Sequence, residues 1–160
     1  NLDYDRDGLW SRTGSVDEPL LQSLLADDYF QQSHPKSTGP EYFNLEWLSH
    51  YLNGNETHED VQRTLMELTL MSVSASIPAG SDVYLCGGGV HNLFLSERLI
   101  NQNPESSIMQ TNDLGVHVDF VEAAAFAFFA KQTMDGTPSN LPSVTGAKHK
   151  RILGAVYLKS

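Results

Sequence analysis

The chain has 160 residues, 40% of them hydrophobic, enough to bury one sizeable core and to predict a single compact unit. Ten basic against twenty acidic residues give a net charge of -10 at pH 7, which opposes binding to a phosphate backbone and argues against a nucleic-acid partner. A single cysteine, Cys86, rules out an internal disulfide and fits a reducing, cytoplasmic compartment, and no apolar stretch approaches the roughly 20 residues that would span a bilayer.

The first residues, Asn1-Leu2-Asp3, form neither a secretory signal nor a starting methionine, so the chain reads as part of a longer one. Asp3-Tyr4-Asp5-Arg6-Asp7-Gly8 matches the first half of a calcium-binding EF-hand loop, but the twelfth position is Gly14 where a bidentate Glu is needed. A solvated acidic turn is the expectation. From Val16 to Ala26, Leu20, Leu21, Leu24 and Leu25 recur at helical spacing, with capping groups in Ser15 to Glu18 and Pro19 in the first turn. The loop His34-Pro35-Lys36-Ser37-Thr38-Gly39-Pro40 sets a cation beside two hydroxyls, as a rigid surface turn or a hold for an anion or a sugar. A short aromatic helix is predicted over Asn44 to Leu52, ending at Asn53-Gly54. The glycosylation triplet Asn55-Glu56-Thr57 has no meaning in a cytoplasmic protein. Thr57, with Asp60 three residues on, opens a helix whose wide apolar face (Val61, Leu65, Met66, Leu68, Leu70, Val73, Ile77) runs to Pro78 and predicts deep burial.

Next comes the most informative stretch. Val83-Tyr84-Leu85-Cys86 reads as a strand, and it stops at Gly87-Gly88-Gly89. Asn92 is placed to cap a following helix with Leu93, Leu95, Leu99 and Ile100 on its inner side. A loop of this kind, at the carboxyl end of a strand and before a helix, is where open α/β sheets bind ligands and where phosphate is favoured; the competing reading is that the glycines merely allow tight strand-to-helix packing. A second strand is expected near Ile108 to Gln110. The helix-strand-helix-strand-helix order predicts an α/β fold of parallel strands flanked by helices.

Phe120 to Met134 is apolar nearly all round in its first half, which predicts a buried helix. Its lone acid there, Glu122, has two compatible readings: it completes a capping box with Asp119, or it faces the ligand crevice beside the glycine loop. Lys148, Lys150 and Arg151 form a small basic turn before the strand-like Ile152 to Leu158. The six histidines show no metal-ligand spacing, and no nucleophile-base pair stands out.

Lys36-Ser37-Thr38-Gly39 followed by Phe43-Asn44, then Gly87-Gly88-Gly89-Val90-His91-Asn92, Glu122-Ala123-Ala124-Ala125-Phe126-Ala127, Asn140-Leu141-Pro142 and Val144-Thr145-Gly146-Ala147 occur in an order and spacing that, along nearly the whole chain, resemble the C-terminal half of anhydro-N-acetylmuramic acid kinases. That family belongs to the superfamily of sugar kinases, actin and heat-shock chaperones. The resemblance implies part of a ribonuclease-H-like, actin-like ATPase lobe, with the N-terminal lobe and the first strands of this lobe absent. It also implies ATP-dependent hydrolytic opening of 1,6-anhydro-N-acetylmuramic acid with phosphorylation of its 6-oxygen, a step of peptidoglycan recycling, with ATP and Mg2+ as cofactors. By the same resemblance Gly87, Gly88, Gly89 and Asn92 lie against the nucleotide, Glu122 helps orient the attacking water, and Lys36, Ser37 and Thr38 stand near the substrate. The main catalytic Asp and a first phosphate loop of the family are absent from these 160 residues. The partners implied are the anhydro amino sugar and ATP, with no membrane; oligomeric state, a homodimer included, stays open. The alternative of another class is a noncatalytic nucleotide-sensing or interaction lobe of the same fold. A dehydrogenase of Rossmann type is disfavoured because the loop lacks G-x-G-x-x-G.

Overall fold

A computed structural model describes residues 4–33 and 35–157. Asn1, Leu2, Asp3, His34 and Leu158, named above, lie outside the described residues. The chain carries α1 (Glu18–Leu25), α2 (Asp28–Gln31), α3 (Leu45–Ser49), α4 (His58–Ser74), β1 (Asp82–Leu85), α5 (Leu93–Gln102), β2 (Ser107–Gln110), α6 (Val121–Met134) and α7 (Pro142–Thr145), with short 3-10 turns between them. The strands pair in parallel, Asp82 opposite Ser107 through Leu85 opposite Gln110. The expected α/β order is therefore present, as a two-stranded parallel sheet with α5 as the connection.

The helices begin where capping side chains stand. Asp17 accepts the amide of Leu20 at the head of α1, Thr57 that of Asp60 at α4, and Asn92 that of Leu95 at α5. Each such cap stabilises its helix by about 1 kcal/mol. Leu20, Leu21 and Leu24 of α1 are buried against Leu68 of α4, with Val61 and Leu65 packed at the margin. At about 1.5–3 kcal/mol per fully buried aliphatic side chain, this interface is the main source of cohesion. α4 also packs on α5, where Phe94 and Leu99 are the buried residues.

Several expectations need correction. The aromatic helix and the long helix are shorter than predicted, α3 ending at Ser49 and α4 at Ser74. Val73 of α4, expected on the buried face, stays exposed. Leu93 and Ile100 face outward, and Phe94 takes the inner position instead. Cys86 lies one residue beyond β1 and is exposed. Among the described residues no strand forms after Ile152; the turn there is held by Ser139 and Arg151, whose N–H and C=O groups pair at 3.1 Å.

The largest correction concerns α6. It spans the predicted residues from Val121, yet none of its residues is buried; Phe126 is 72% exposed and Phe128 51%. Its principal contacts are with the 3-10 turn Val118–Phe120 that leads into it. A sheet of two strands is too narrow to cover an apolar helix on all sides.

Candidate nucleotide site

At the end of β1 the chain turns through Gly87, whose φ of 77° is open to glycine and costly for other residues. Gly88 to His91 then form one 3-10 turn, and Asn92 closes it, its own amide donating to the Gly89 carbonyl at 3.1 Å. The glycines have a measurable surrounding: a Cβ added at Gly87, Gly88 or Gly89 would meet no other atom within 4 Å. Packing within the chain therefore does not demand three glycines here. What remains is bare backbone facing free space, with N–H groups at the start of a helical turn that the turn itself does not use.

That space is a cleft of about 620 Å³. One wall is Gly88, Gly89, His91 and Asn92; the other is Tyr4 to Asp7. The second wall is far away in sequence and is fixed by three contacts. Gly8, at φ 71°, lies so close to α5 that a Cβ there would stand 2.3 Å from Asn92 Oδ1 and 2.5 Å from Phe94 Cβ. Ser11, fully buried, donates its hydroxyl to the Gly8 carbonyl at 3.0 Å. The Asp5 carboxylate accepts the amides of Trp10 at 2.8 Å and Ser11 at 3.1 Å. Burial pushes the Asp5 carboxyl up, but hydrogen bonds from Ser11 and Trp10 outweigh it and hold the group below its ordinary value. The Asp5 carboxylate thus holds its own turn together.

The glycine loop is also joined to the approach of α6. The Gly87 amide donates to the Val118 carbonyl at 2.9 Å, and His91 Nε2 lies 2.7 Å from Asp119 Oδ1. The expected capping box at α6 is absent: Phe120 occupies the cap position without a side-chain bond, because the Asp119 carboxylate is turned to His91. Glu122 stands exposed on the first turn of α6 and does not line the cleft. Lys36, Ser37 and Thr38 lie elsewhere. The Lys36 ammonium donates to the Tyr29 carbonyl at 2.9 Å and sits 4.6 Å from that ring's centre, and Thr38 borders a separate aromatic depression with Tyr29, Phe43 and Trp47. The structure thus brings Gly88, Gly89 and Asn92 together at one cleft, with Gly87 just outside its lining, and leaves Lys36 to Thr38 apart. Arg6 and Asp7 also line the cleft, in the stretch that the sequence predicts to be a solvated acidic turn.

The sequence profile described as anhydro-N-acetylmuramic acid kinase matches residues 1–159. The chain belongs to that family. Among curated relatives, the anhydro-N-acetylmuramic acid kinase of Pseudomonas syringae pv. syringae is 47% identical over 160 residues, covering 96% of this chain and 44% of the relative. The kinases of the same name from Nitrosomonas europaea and Coxiella burnetii are 47% and 48% identical, each match covering 98% of this chain and 44% of the relative. This member of the anhydro-N-acetylmuramic acid kinase family thus spans less than half the length of the curated relatives it matches. No helix among its described residues is long and apolar enough to cross a membrane.

Proposed function

We propose that the chain forms the C-terminal, nucleotide-contacting portion of the second, ribonuclease-H-like lobe of a cytoplasmic ATP-dependent kinase that opens 1,6-anhydro-N-acetylmuramic acid and yields N-acetylmuramic acid 6-phosphate in peptidoglycan recycling. The observation that carries this reading is the open backbone of Gly87 to Gly89 at the carboxyl end of β1, in a chain of this family. The amides of Gly88 and Gly89, with no Cβ to fend off a ligand, suit a nucleotide phosphate or ribose, while the Gly87 amide is taken by Val118.

In this reading water attacks the anomeric carbon, the bond from that carbon to O6 breaks, and O6 takes the terminal phosphoryl group of ATP, leaving ADP. The water's proton needs an acceptor, and the developing charge on the transferring group needs stabilisation. Gly87, Gly88 and Gly89 hold the nucleotide, and Asn92 keeps their turn in shape through its bonds to Leu95 and Gly89. Glu122 is assigned the orientation of the attacking water, and Lys36, Ser37 and Thr38 a place near the sugar. The donor set fits a nucleotide; Mg2+ would ride on its phosphates and water, as the ion commonly does, and would neutralise phosphoryl charge there.

The test is a kinase assay of the intact protein with ATP and the anhydro sugar, following ADP release and the 6-phosphate product. Both are expected. Nucleotide binding without turnover would favour a noncatalytic nucleotide-sensing lobe, and neither binding nor turnover would remove the nucleotide reading altogether.

A further inference from the structure

We propose that Arg6 is a nucleotide-binding residue, the cation that meets the phosphates of a nucleotide seated on Gly88 and Gly89; this rests on the nucleotide reading of the glycine loop. Arg6 lines the cleft on the wall opposite those glycines. It is exposed, and no acid pairs with it among the described residues. Three other arginines are paired, Arg12 with Glu97 at 2.5 Å and Arg63 and Arg98 both with Glu67, at 3.3 and 2.7 Å, and Arg151 does not line the cleft.

Two carboxylates of this region keep their charge but are already hydrogen-bonded to groups other than Arg6. The Asp5 carboxylate is occupied by two amides, and the Asp119 carboxylate by His91. Asp7 remains, held at a φ of 56°, and no ion pair joins it to Arg6. In a chain of net charge -10 an anionic ligand is repelled at long range, so a guanidinium at the mouth of its cleft is the local feature that offsets this. The wall is also rigid enough to aim it. Gly8, two residues on, is wedged against Asn92 and Phe94, which fixes the turn carrying Arg6 relative to the loop carrying the amides.

The experiment measures binding of ATP and of adenosine to the intact protein by calorimetry, comparing wild type with Arg6→Gln, Arg6→Lys and Gly88→Val. Loss of a charge-assisted contact predicts an ATP Kd raised about tenfold or more in Arg6→Gln, with partial recovery in Arg6→Lys. Adenosine, which has no phosphate, should bind Arg6→Gln within about twofold of wild type. An unchanged ATP Kd in Arg6→Gln overturns the proposal, and so does an equal loss for ATP and adenosine, which would make the residue structural. If Gly88→Val loses ATP while Arg6→Gln keeps it, the glycine-loop reading stands and Arg6 alone is refuted. A wild-type protein that binds no ATP refutes both.

Discussion

His91 Nε2 lies 2.7 Å from Asp119 Oδ1, linking the turn after the three glycines to the residue just ahead of α6. Both side chains are about half exposed, so the pair itself contributes at most about 1 kcal/mol. Its consequence is positional. With Asp119 turned toward the loop, α6 starts without a side-chain cap, and Glu122 has no reciprocal capping duty to perform.

Glu122→Gln therefore separates chemistry from stability. A residue exposed on a first turn and free of capping bonds should tolerate the change with a melting temperature close to wild type. If Glu122 orients the attacking water, kcat of the intact enzyme should fall by about 10² or more. A kcat preserved within a few-fold would end the catalytic assignment.

Gly88→Val should leave the fold intact, because an added Cβ meets nothing within 4 Å and Gly88 is not at a positive φ. Its branched side chain would instead project into the cleft. The expected result is an ATP KM raised about tenfold in the intact enzyme at an unchanged melting temperature. Normal ATP kinetics in a folded variant would detach the loop from the nucleotide.

Gly8→Ala is expected to behave in the opposite way. A left-handed φ of 71° and contacts of 2.3 and 2.5 Å from the new Cβ combine strain with overlap, and one of those contacts is Phe94 Cβ, which is tied to the backbone of α5. Chemical denaturation should show a loss of about 2–4 kcal/mol. A loss below about 0.5 kcal/mol would mean that the cleft's second wall is not held as described.

Asp27 offers a pH test. Its carboxylate is 8% exposed and accepts four bonds, from the Tyr29 amide, the hydroxyls of Tyr42 and Tyr51, and Trp47 Nε1, all at 2.8–2.9 Å. Burial pushes the carboxyl up, but the Trp47, Tyr29, Tyr42 and Tyr51 bonds outweigh it and hold the group below its ordinary 3.8. The same contact drives the Tyr42 hydroxyl up to about 12. A carboxyl depressed on folding adds stability that is complete above its unfolded value and fades as pH falls through the folded one. Asp27→Asn should cost about 2–4 kcal/mol at pH 7, and that difference should shrink below pH 3.8. A difference constant down to pH 2 would contradict the assignment.

On the proposed reading, which places the main catalytic Asp and the first phosphate loop outside residues 1–160, those residues produced alone should turn over no anhydro sugar. Measurable ADP release coupled to sugar phosphorylation by the purified 160-residue chain would refute this.

What could be read from the chain was local. Asn92 as a cap needs only its position three residues before the Leu95 amide, and Thr57 and the Pro19 turn follow the same short-range rule. The parallel pairing of β1 and β2 was legible because a helix between two strands leaves little other choice. The family motifs were legible for a related reason, being fixed residue types at fixed intervals.

The tertiary structure decided everything that depends on approach through space. Asp119 looked like a cap from spacing, but His91, 28 residues earlier, holds its carboxylate. Phe126 and Phe128 read as core, yet burial needs a surface to lie against, and the two-stranded sheet does not supply one. The sequence by itself determined the glycine turn, its cap and the family; only the fold set Tyr4 to Asp7 opposite Gly88 and Gly89, because Gly8 lacks the side chain that would keep α5 away.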